Sequence, residues 1–408
     1  MALSGFGSLS RVPWVIAQTR DARLSVKSMR PKLLLVTTAL GSGGAERHVV
    51  RIANELVGLC EVQIAVLRTG GSYEQFLDSQ VPLSGVAPEI PGKSTVVCSL
   101  TSGNRLRQLL KTYQPDCCIS FLDPAASAVG TAIRSCGKKI KHVISCQNNI
   151  AVTHKNFRRS SAVILLPRIK RAYRECDCII AISKGVERGL REYWPKLNAP
   201  IQVCHNAIAD QEELSRLALV GSPSHRLDNS SRQLIACGRL TRQKGFDHLL
   251  KAFQKVRKSH DCTLTILGEG GERGRLQELA VLLGVDRYVT MPGFIDNPTE
   301  KFCQADAFVL SSRWEGFGNV IVEAMACGTP VVASDCPFGP SEIITNGVDG
   351  LLVANEDVQQ LSDAICAILD DRAMSLRLAE AGKRRAAEFR SDLVAKRYLD
   401  IVRSLIDA

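Results

Sequence analysis

Two α/β domains are what this sequence predicts, each a doubly wound, Rossmann-like parallel sheet facing its partner across a cleft. Three observations carry that reading. The chain has 408 residues, more than one hydrophobic core usually supports. Short apolar runs alternate with stretches of helical period, as they do when crossover helices bury strands on both faces. The alternation weakens once, near residues 209–232, and then resumes.

Taken in order, residues 1–30 read as a disordered N-terminal extension. They are Ser-rich, and their apolar stretches are too short and too broken by charge for a signal peptide. Met29 stands just before the first strand, so residues 1–28 are either a loose extension or the product of an upstream start codon. A first domain is expected over 31–208. It opens with a strand at Leu33–Thr37, the glycine turn Gly41-Ser42-Gly43-Gly44, and a helix that places Ala45, Val49, Ile52, Ala53 and Leu56 on one face. Further strands are expected at Val62–Leu67, Cys117–Phe121, His142–Ser145, Cys178–Ile182 and Ile201–Cys204. Polar stretches at 221–225 and 228–231 mark a linker. A second domain over 209–389 carries strands at Leu234–Cys237, Thr263–Leu267, Tyr288–Met291, Ala307–Ser311, Pro330–Ala333 and Gly350–Val353. A last helix near 390–408 is expected to pack back on the first domain.

Hydrophobic residues make up 45% and charged residues 23%, the balance of a folded globular chain rather than a disordered one. The net charge of +11 suggests an anionic partner, or good solubility alone. Fifteen cysteines include no C-x-x-C pair, and Cys117, Cys118, Cys237, Cys262 and Cys366 lie in apolar runs. Buried free thiols fit this usage better than a disulfide framework. Cys176-Asp177-Cys178 lacks a partner cluster at zinc spacing, so no metal site is expected. No apolar run reaches the ~18 residues of a membrane-spanning helix.

Three motifs carry chemistry. Gly41-Ser42-Gly43-Gly44 joins a strand to a helix, where missing Cβ atoms and a helix N-terminus suit either an anion or only a tight turn. Its spacing is neither G-x-G-x-x-G nor the P-loop pattern, which disfavours nicotinamide and ATP. Gly238-Arg239-Leu240-Thr241-Arg242-Gln243-Lys244-Gly245 ends the first strand of the second half. Its cations lie beyond a strand's carboxyl end, where open α/β sheets bind ligands, and they suit a diphosphate. In Glu315–Pro330 two glutamates stand eight residues apart, with Gly316 and Gly318 leading into a helix. Carboxylates accept paired hydrogen bonds from sugar hydroxyls, and glycine amides can meet phosphate oxygens.

The run from Glu315 through Pro330 to Glu342 closely resembles the retaining glycosyltransferases of family 4, which have the GT-B fold and an E-x7-E motif. Gly238-Arg239-Leu240 with Lys244-Gly245 resembles that family's diphosphate loop. Gly43-Gly44-Ala45-Glu46 resembles its N-terminal glycine loop, and Asn206 sits in a similar crossover segment. The likeness covers about Lys32 to the C-terminus and is densest in the second half.

The resemblance implies a nucleotide-diphosphate sugar, UDP-linked on family grounds, whose hexose or N-acetylhexosamine passes to a glycan or lipid-linked glycan with retained configuration. Arg239, Lys244 and Glu315 would form the catalytic set. Arg239 and Lys244 would hold the diphosphate, Glu315 the transferred sugar and Glu323 the ribose. Gly43 and Gly44 would approach the phosphates from the other domain, and Gly316, Phe317, Gly318, Asn319 and Val320 would complete the donor site. Gln147 and Asn148 would lie on the acceptor side. Gln147 stands where family members often carry histidine, which puts any acid–base role there in doubt. His142 and His154 flank that segment as structural residues. No D-x-D occurs, so neither metal nor cofactor is expected and the nucleotide sugar is the co-substrate.

A sugar-nucleotide epimerase of related fold and a non-catalytic sugar-nucleotide-binding module remain as alternatives. A phosphorylase would need a pyridoxal-binding lysine, for which there is no signal. Lys155, Arg158, Arg159, Arg168, Lys170, Arg171 and Arg174 surround the apolar run Ala162–Leu166. This segment is either a solvated helix or a surface for an anionic membrane or a phosphorylated acceptor. A cytoplasmic protein, peripheral on the inner face of the membrane and with no nucleic-acid partner, is the expectation.

Overall fold

A computed structural model describes residues 30–41, 43–87, 95–150, 159–220 and 231–408, with backbone alone at 95–96, 159–162 and 218–220. The extension over 1–29, Ser42, His154, Lys155 and Arg158 lie outside the described residues.

Among the described residues, two parallel sheets form. The first contains β1 (Lys32–Thr37), β2 (Glu61–Val66), β3 (Leu83–Gly85), β4 (Cys117–Phe121), β5 (Lys141–Cys146), β6 (Cys178–Ala181) and β7 (Ile201–Val203). Its order is β3-β2-β1-β4-β5-β6-β7. The second contains β8 (Arg232–Cys237), β9 (Cys262–Leu267), β10 (Val289–Gly293), β11 (Ala307–Leu310), β12 (Val331–Asp335) and β13 (Leu351–Ala354), in the order β10-β9-β8-β11-β12-β13. The strands expected from the apolar runs all form. β3 went unexpected because Leu83-Ser84-Gly85 is a three-residue edge strand with no apolar run to mark it.

The central strands are apolar throughout because helices cover both faces. One face of the first sheet packs on the Gly44–Leu56 helix through Val49, Ile52, Ala53 and Leu56, and on the Ser391–Ile406 helix through Tyr398, Leu399 and Val402. The opposite face packs on helices Gly103–Tyr113 and Asp123–Cys136. In the second sheet Leu249, Leu250 and Phe253 of helix Phe246–Val256 meet Leu361 and Ile365 of helix Val358–Asp370. A further core runs between the two sheets. It joins Ile179, Ile182 and Val186 to Phe317, Ile321 and Ile343. The fifteen cysteines are all free, and only Cys237 and Cys366 are less than fully buried.

Strand order reverses between β1 and β4 and again between β8 and β11. A doubly wound sheet opens a ligand crevice at the carboxyl ends of its strands at such a point. The glycine turn follows β1, the basic loop follows β8, and the first glutamate of the pair follows β11.

Candidate active site

The loops after β8 and β11 are tied together before any ligand is considered. Gln243 Nε2 donates to Trp314 O at 3.0 Å, Arg313 N to Gln243 O at 2.7 Å, and Ser311 Oγ to Lys244 O at 3.0 Å. Gly245 permits this approach. Its φ is +61°, and a Cβ there would lie 2.0 Å from Ser311 O. The result sets Lys244 Nζ 2.6 Å from Glu315 Oε1, which also accepts from Ser312 Oγ at 2.6 Å. Glu315 is buried, and Lys244 is largely so. The ammonium and carboxylate thus share a largely buried site, where their attraction is stronger than in water.

Glu323 lies in helix Asn319–Ala326 and is also buried. Arg47 reaches it from the first sheet's Gly44–Leu56 helix, with Nη1 2.8 Å from Glu323 Oε1. The same guanidinium donates to Asp296 O at 2.6 Å and to Tyr73 Oη at 3.0 Å, while Arg51 Nη1 stands 3.9 Å from the carboxylate. Sequence reasoning missed Arg47. Its only signal is its place one turn into the helix after the glycine loop, next to Glu46.

More contacts cross between the sheets. Asn319 Nδ2 donates to Gly44 O at 3.2 Å, and Asn206 Nδ2 donates to Asn319 Oδ1 at 3.1 Å. A Cβ on Gly44 would lie 2.8 Å from Asn319 Nδ2, so a larger residue there would displace that amide. Ser183 caps the Lys184–Tyr193 helix by accepting from Val186 N and donates its own hydrogen to Gly316 O at 2.8 Å. Glu342 accepts from Lys184 N and Gly185 N at 2.7 and 2.9 Å. These contacts pin the Glu315–Asn319 loop against the first sheet.

A cavity of 280 Å³ lies beyond β1, lined by Thr38, Ala39, Gly41, Gly43, Glu46, Arg68, Cys98 and Arg239. Arg239 therefore faces the glycine loop across the gap, and two guanidinium groups share the cavity with one carboxyl. Burial pushes the Glu46 carboxyl above its ordinary pKa, and its own backbone hydrogen bond and Arg239 work the other way.

The structure thus gathers Arg239, Gly43, Lys244, Glu315, Gly316, Gly318, Asn319 and Glu323 where the two sheets' crevices meet. Phe317 departs from the sequence expectation in one respect. Its ring is buried and stacks on His205 with centroids 4.9 Å apart, so the side chain supports the loop from beneath. Val320 packs on the shared core. Gln147 is buried with its main chain against Gly316, whereas Asn148 is exposed. His142 is buried, 2.9 Å from Ser120 Oγ, and burial pulls its pKa down to about 3.

The family model described as "Glycosyl transferases group 1" matches residues 222–385, and "Glycosyltransferase Family 4" matches residues 42–212. An exopolysaccharide phosphotransferase of Streptomyces coelicolor is 30% identical over 56% of this chain, and the match spans 24% of that protein's length. The N-acetylgalactosamine-N,N'-diacetylbacillosaminyl-diphospho-undecaprenol 4-alpha-N-acetylgalactosaminyltransferase of Campylobacter jejuni is 26% identical, covering 90% of this chain and 97% of its own. Among solved structures, Anabaena HepE in complex with UDP and glucose superposes with a TM-score of 0.74 at 20% identity, covering 92% of this chain and 100% of HepE. The architecture is the GT-B fold.

Proposed function

We propose that this chain, which the group 1 and family 4 glycosyltransferase models match over residues 222–385 and 42–212, is a glycosyltransferase that moves a hexose or N-acetylhexosamine from a UDP-linked donor to a glycan or lipid-linked glycan with retention of configuration. Two observations support this reading: Lys244 pairs with Glu315 across the loops after β8 and β11, and Arg239 lines the cavity beside the glycine loop. On this reading the two cations would take the phosphates and the carboxylate the sugar. In the transfer the bond from the anomeric carbon to the diphosphate oxygen breaks. An acceptor hydroxyl oxygen bonds to that carbon, and its proton leaves with the nucleoside diphosphate. Arg239 and Lys244 would stabilise the charge growing on the leaving diphosphate, Glu315 would orient the sugar, and Glu323 would hold the ribose. The first domain would take the acceptor, with Gln147 and Asn148 near it, and the second the donor. UDP bound in HepE and the lipid diphosphate in the Campylobacter enzyme's name support these substrate classes.

We also propose peripheral contact with an anionic membrane. In helix Arg159–Glu175, Arg168, Lys170, Arg171 and Arg174 are exposed beside exposed Val163 and Ile164. No helix among the described residues is long and apolar enough to cross a membrane.

Product analysis with a labelled UDP-sugar tests the central reading. Label appearing in a new glycan with release of UDP is the expected result. An isomerised donor sugar, or binding without turnover, would overturn it. Liposome binding that needs anionic lipid and fades with salt would support the membrane contact; indifference to lipid charge would defeat that part alone.

A further inference from the structure

A second group of reactive side chains lies at the other end of the second sheet from the crevice, and no step of the proposed transfer uses it. The turn after helix Phe246–Val256 carries Ser259 and His260 just before β9, and helix Val358–Asp370 brings Cys366 and Asp370 beside that turn. His260 Nε2 stands 2.9 Å from Asp370 Oδ1, and His260 Nδ1 stands 3.7 Å from Cys366 Sγ. Ser259 Oγ lies 2.9 Å from the same Nδ1, 3.3 Å from Val256 O and 4.0 Å from Cys366 Sγ. Cys366 is half-buried, Ser259 is exposed and the Asp370 side chain is 69% exposed, so a small reagent can approach the sulfur from water.

Counting hydrogens gives each group a separate task. An ionised carboxylate can only accept, so beside Asp370 the neutral ring carries its hydrogen on Nε2 and keeps a lone pair on Nδ1. The Ser259 hydroxyl can give its hydrogen to Val256 O, which leaves that lone pair to the Cys366 thiol. Thiol and carboxylate thus stand at opposite nitrogens of one ring and cannot close on a single metal ion. No group of three or more metal-ligating side chains occurs among the described residues. Nucleophile, base and orienting carboxylate in that order form the arrangement that activates a thiol or hydroxyl for attack. Burial pushes the Cys366 thiol above its ordinary pKa, the Ser259 contact works the other way, and the charges of Asp370 and Asp363 add to the rise. The sulfur therefore rests as a thiol, and its attack requires a base that takes the proton within the step.

We propose that Cys366 is a modification site that exchanges with a small disulfide, with His260 as its base and Asp370 as the positioning residue that holds the ring. In the exchange the Cys366 S–H bond and the reagent's S–S bond break. A bond forms between Cys366 Sγ and one reagent sulfur, and the proton passes through His260 Nδ1 to the other, which leaves as a thiol. Cys366 is oxidised and the departing sulfur is reduced, so the step balances without a further reagent. An alkyl thiolate needs a proton at neutral pH, and the imidazolium formed as Cys366 attacks stands ready to supply it. The inference is independent of the glycosyltransferase reading.

The experiment treats the folded full-length chain with hydroxyethyl disulfide near neutral pH, stops the reaction by alkylation, and maps the mixed disulfides by peptide mass spectrometry over time. It compares wild type with His260→Gln and Asp370→Asn and follows Tm alongside. Cys366 should carry the mixed disulfide in folded wild type. Its rate should fall about 10-fold or more in His260→Gln, because a positioned base contributes at least that much to proton transfer. Asp370→Asn should slow it about 3-fold or more, since the ring loses the charge that orients it and steadies the imidazolium. A merely structural tie between His260 and Asp370 predicts the opposite sign: its loss would loosen the turn against the helix, uncover the sulfur and speed the reaction. Cys366 left unmodified in folded wild type while the unfolded chain reacts there, or a rate unchanged or raised in His260→Gln, overturns the proposal. If His260→Gln does not fold, Asp370→Asn, at a largely exposed side chain, decides the question with the same expected sign.

Discussion

Arg47→Ala should unsettle the molecule more than any surface arginine would. Its guanidinium holds the Glu323 carboxylate at 2.8 Å, and the two side chains are 17% and 8% exposed. Removing one member of a buried pair costs about 3–5 kcal/mol, because the other charge is left without a partner. Here Arg51 stands 3.9 Å from the same oxygen and can take up part of the charge, so the expected loss is about 2–3 kcal/mol. In a folded unit of this size that is roughly 3–4 °C in Tm. Glu323→Ala should cost less, about 1 kcal/mol, because the stranded guanidinium keeps its bonds to Tyr73 Oη and Asp296 O. The double variant strands neither charge, so its loss should fall short of the sum by about 1–2 kcal/mol. Thermal unfolding of the four proteins measures that coupling, and calorimetry with UDP adds a functional readout. If Glu323 takes the ribose, Glu323→Ala should weaken UDP binding by about 10-fold or more. Additive stability losses within about 0.5 kcal/mol would refute the pairing, and wild-type UDP affinity in Glu323→Ala would refute the ribose assignment.

Glu315→Gln should separate from Glu323→Ala by slowing transfer about 10- to 100-fold while leaving UDP affinity nearly intact; equal loss of UDP binding in both would show the two roles misassigned. Transfer should continue in excess EDTA, since Arg239 and Lys244 are read as the diphosphate's counter-charges; full loss restored by magnesium or manganese would reject that. Acid should destabilise the fold through His48 and His142, whose pKa values burial lowers to about 3. Below about pH 6.5 the unfolded chain takes up two protons that the folded chain refuses, so stability falls as pH falls, by about 2.7 kcal/mol per pH unit for the pair. Tm measured from pH 7 to 5 should show this, with about half the slope in His142→Gln, and a flat profile would contradict it.

The fold was legible because its strands are buried on both faces. A sequence such as Leu33-Leu34-Leu35-Val36 has no reading as a half-solvated strand, and parallel neighbours must be joined by crossovers. β3 was not legible because an edge strand of three residues buries too little to impose a pattern. In the site, the residues that could be read were those set at fixed spacing within one segment. Glu315 and Glu323 share a loop and its helix, and Arg239 and Lys244 share another loop. Arg47 was hidden for the opposite reason. It meets Glu323 across 276 residues, and nothing in either segment alone marks the partner.

The same distinction explains why Gln147 was seen as a departure from the family's usual histidine, while the buried hydrogen bonds beneath it were not seen. Its three supports come from a helix near the start of the described chain, from β5 and from the C-terminal helix, and they converge only when that last helix crosses back to the first sheet. A histidine at this position could carry a proton; an amide cannot, and can only present one end or the other. Which end it presents must therefore be fixed by its surroundings. In a fully buried place the cost of a wasted donor or acceptor supplies that constraint. The C-terminal helix packs by its apolar face, as Leu399 and Val402 require, and Tyr398 adds to that packing one polar atom bonded to His48 Nε2 and Ser145 Oγ. Replacing the hydroxyl with hydrogen in Tyr398→Phe keeps the ring's burial against His48 and Phe121. It also takes the partner from His48 Nε2 and from Ser145 Oγ, so Tyr398→Phe should lower stability by about 1–3 kcal/mol with the ring's packing in place, and an unchanged Tm would refute the bonding role of that hydroxyl.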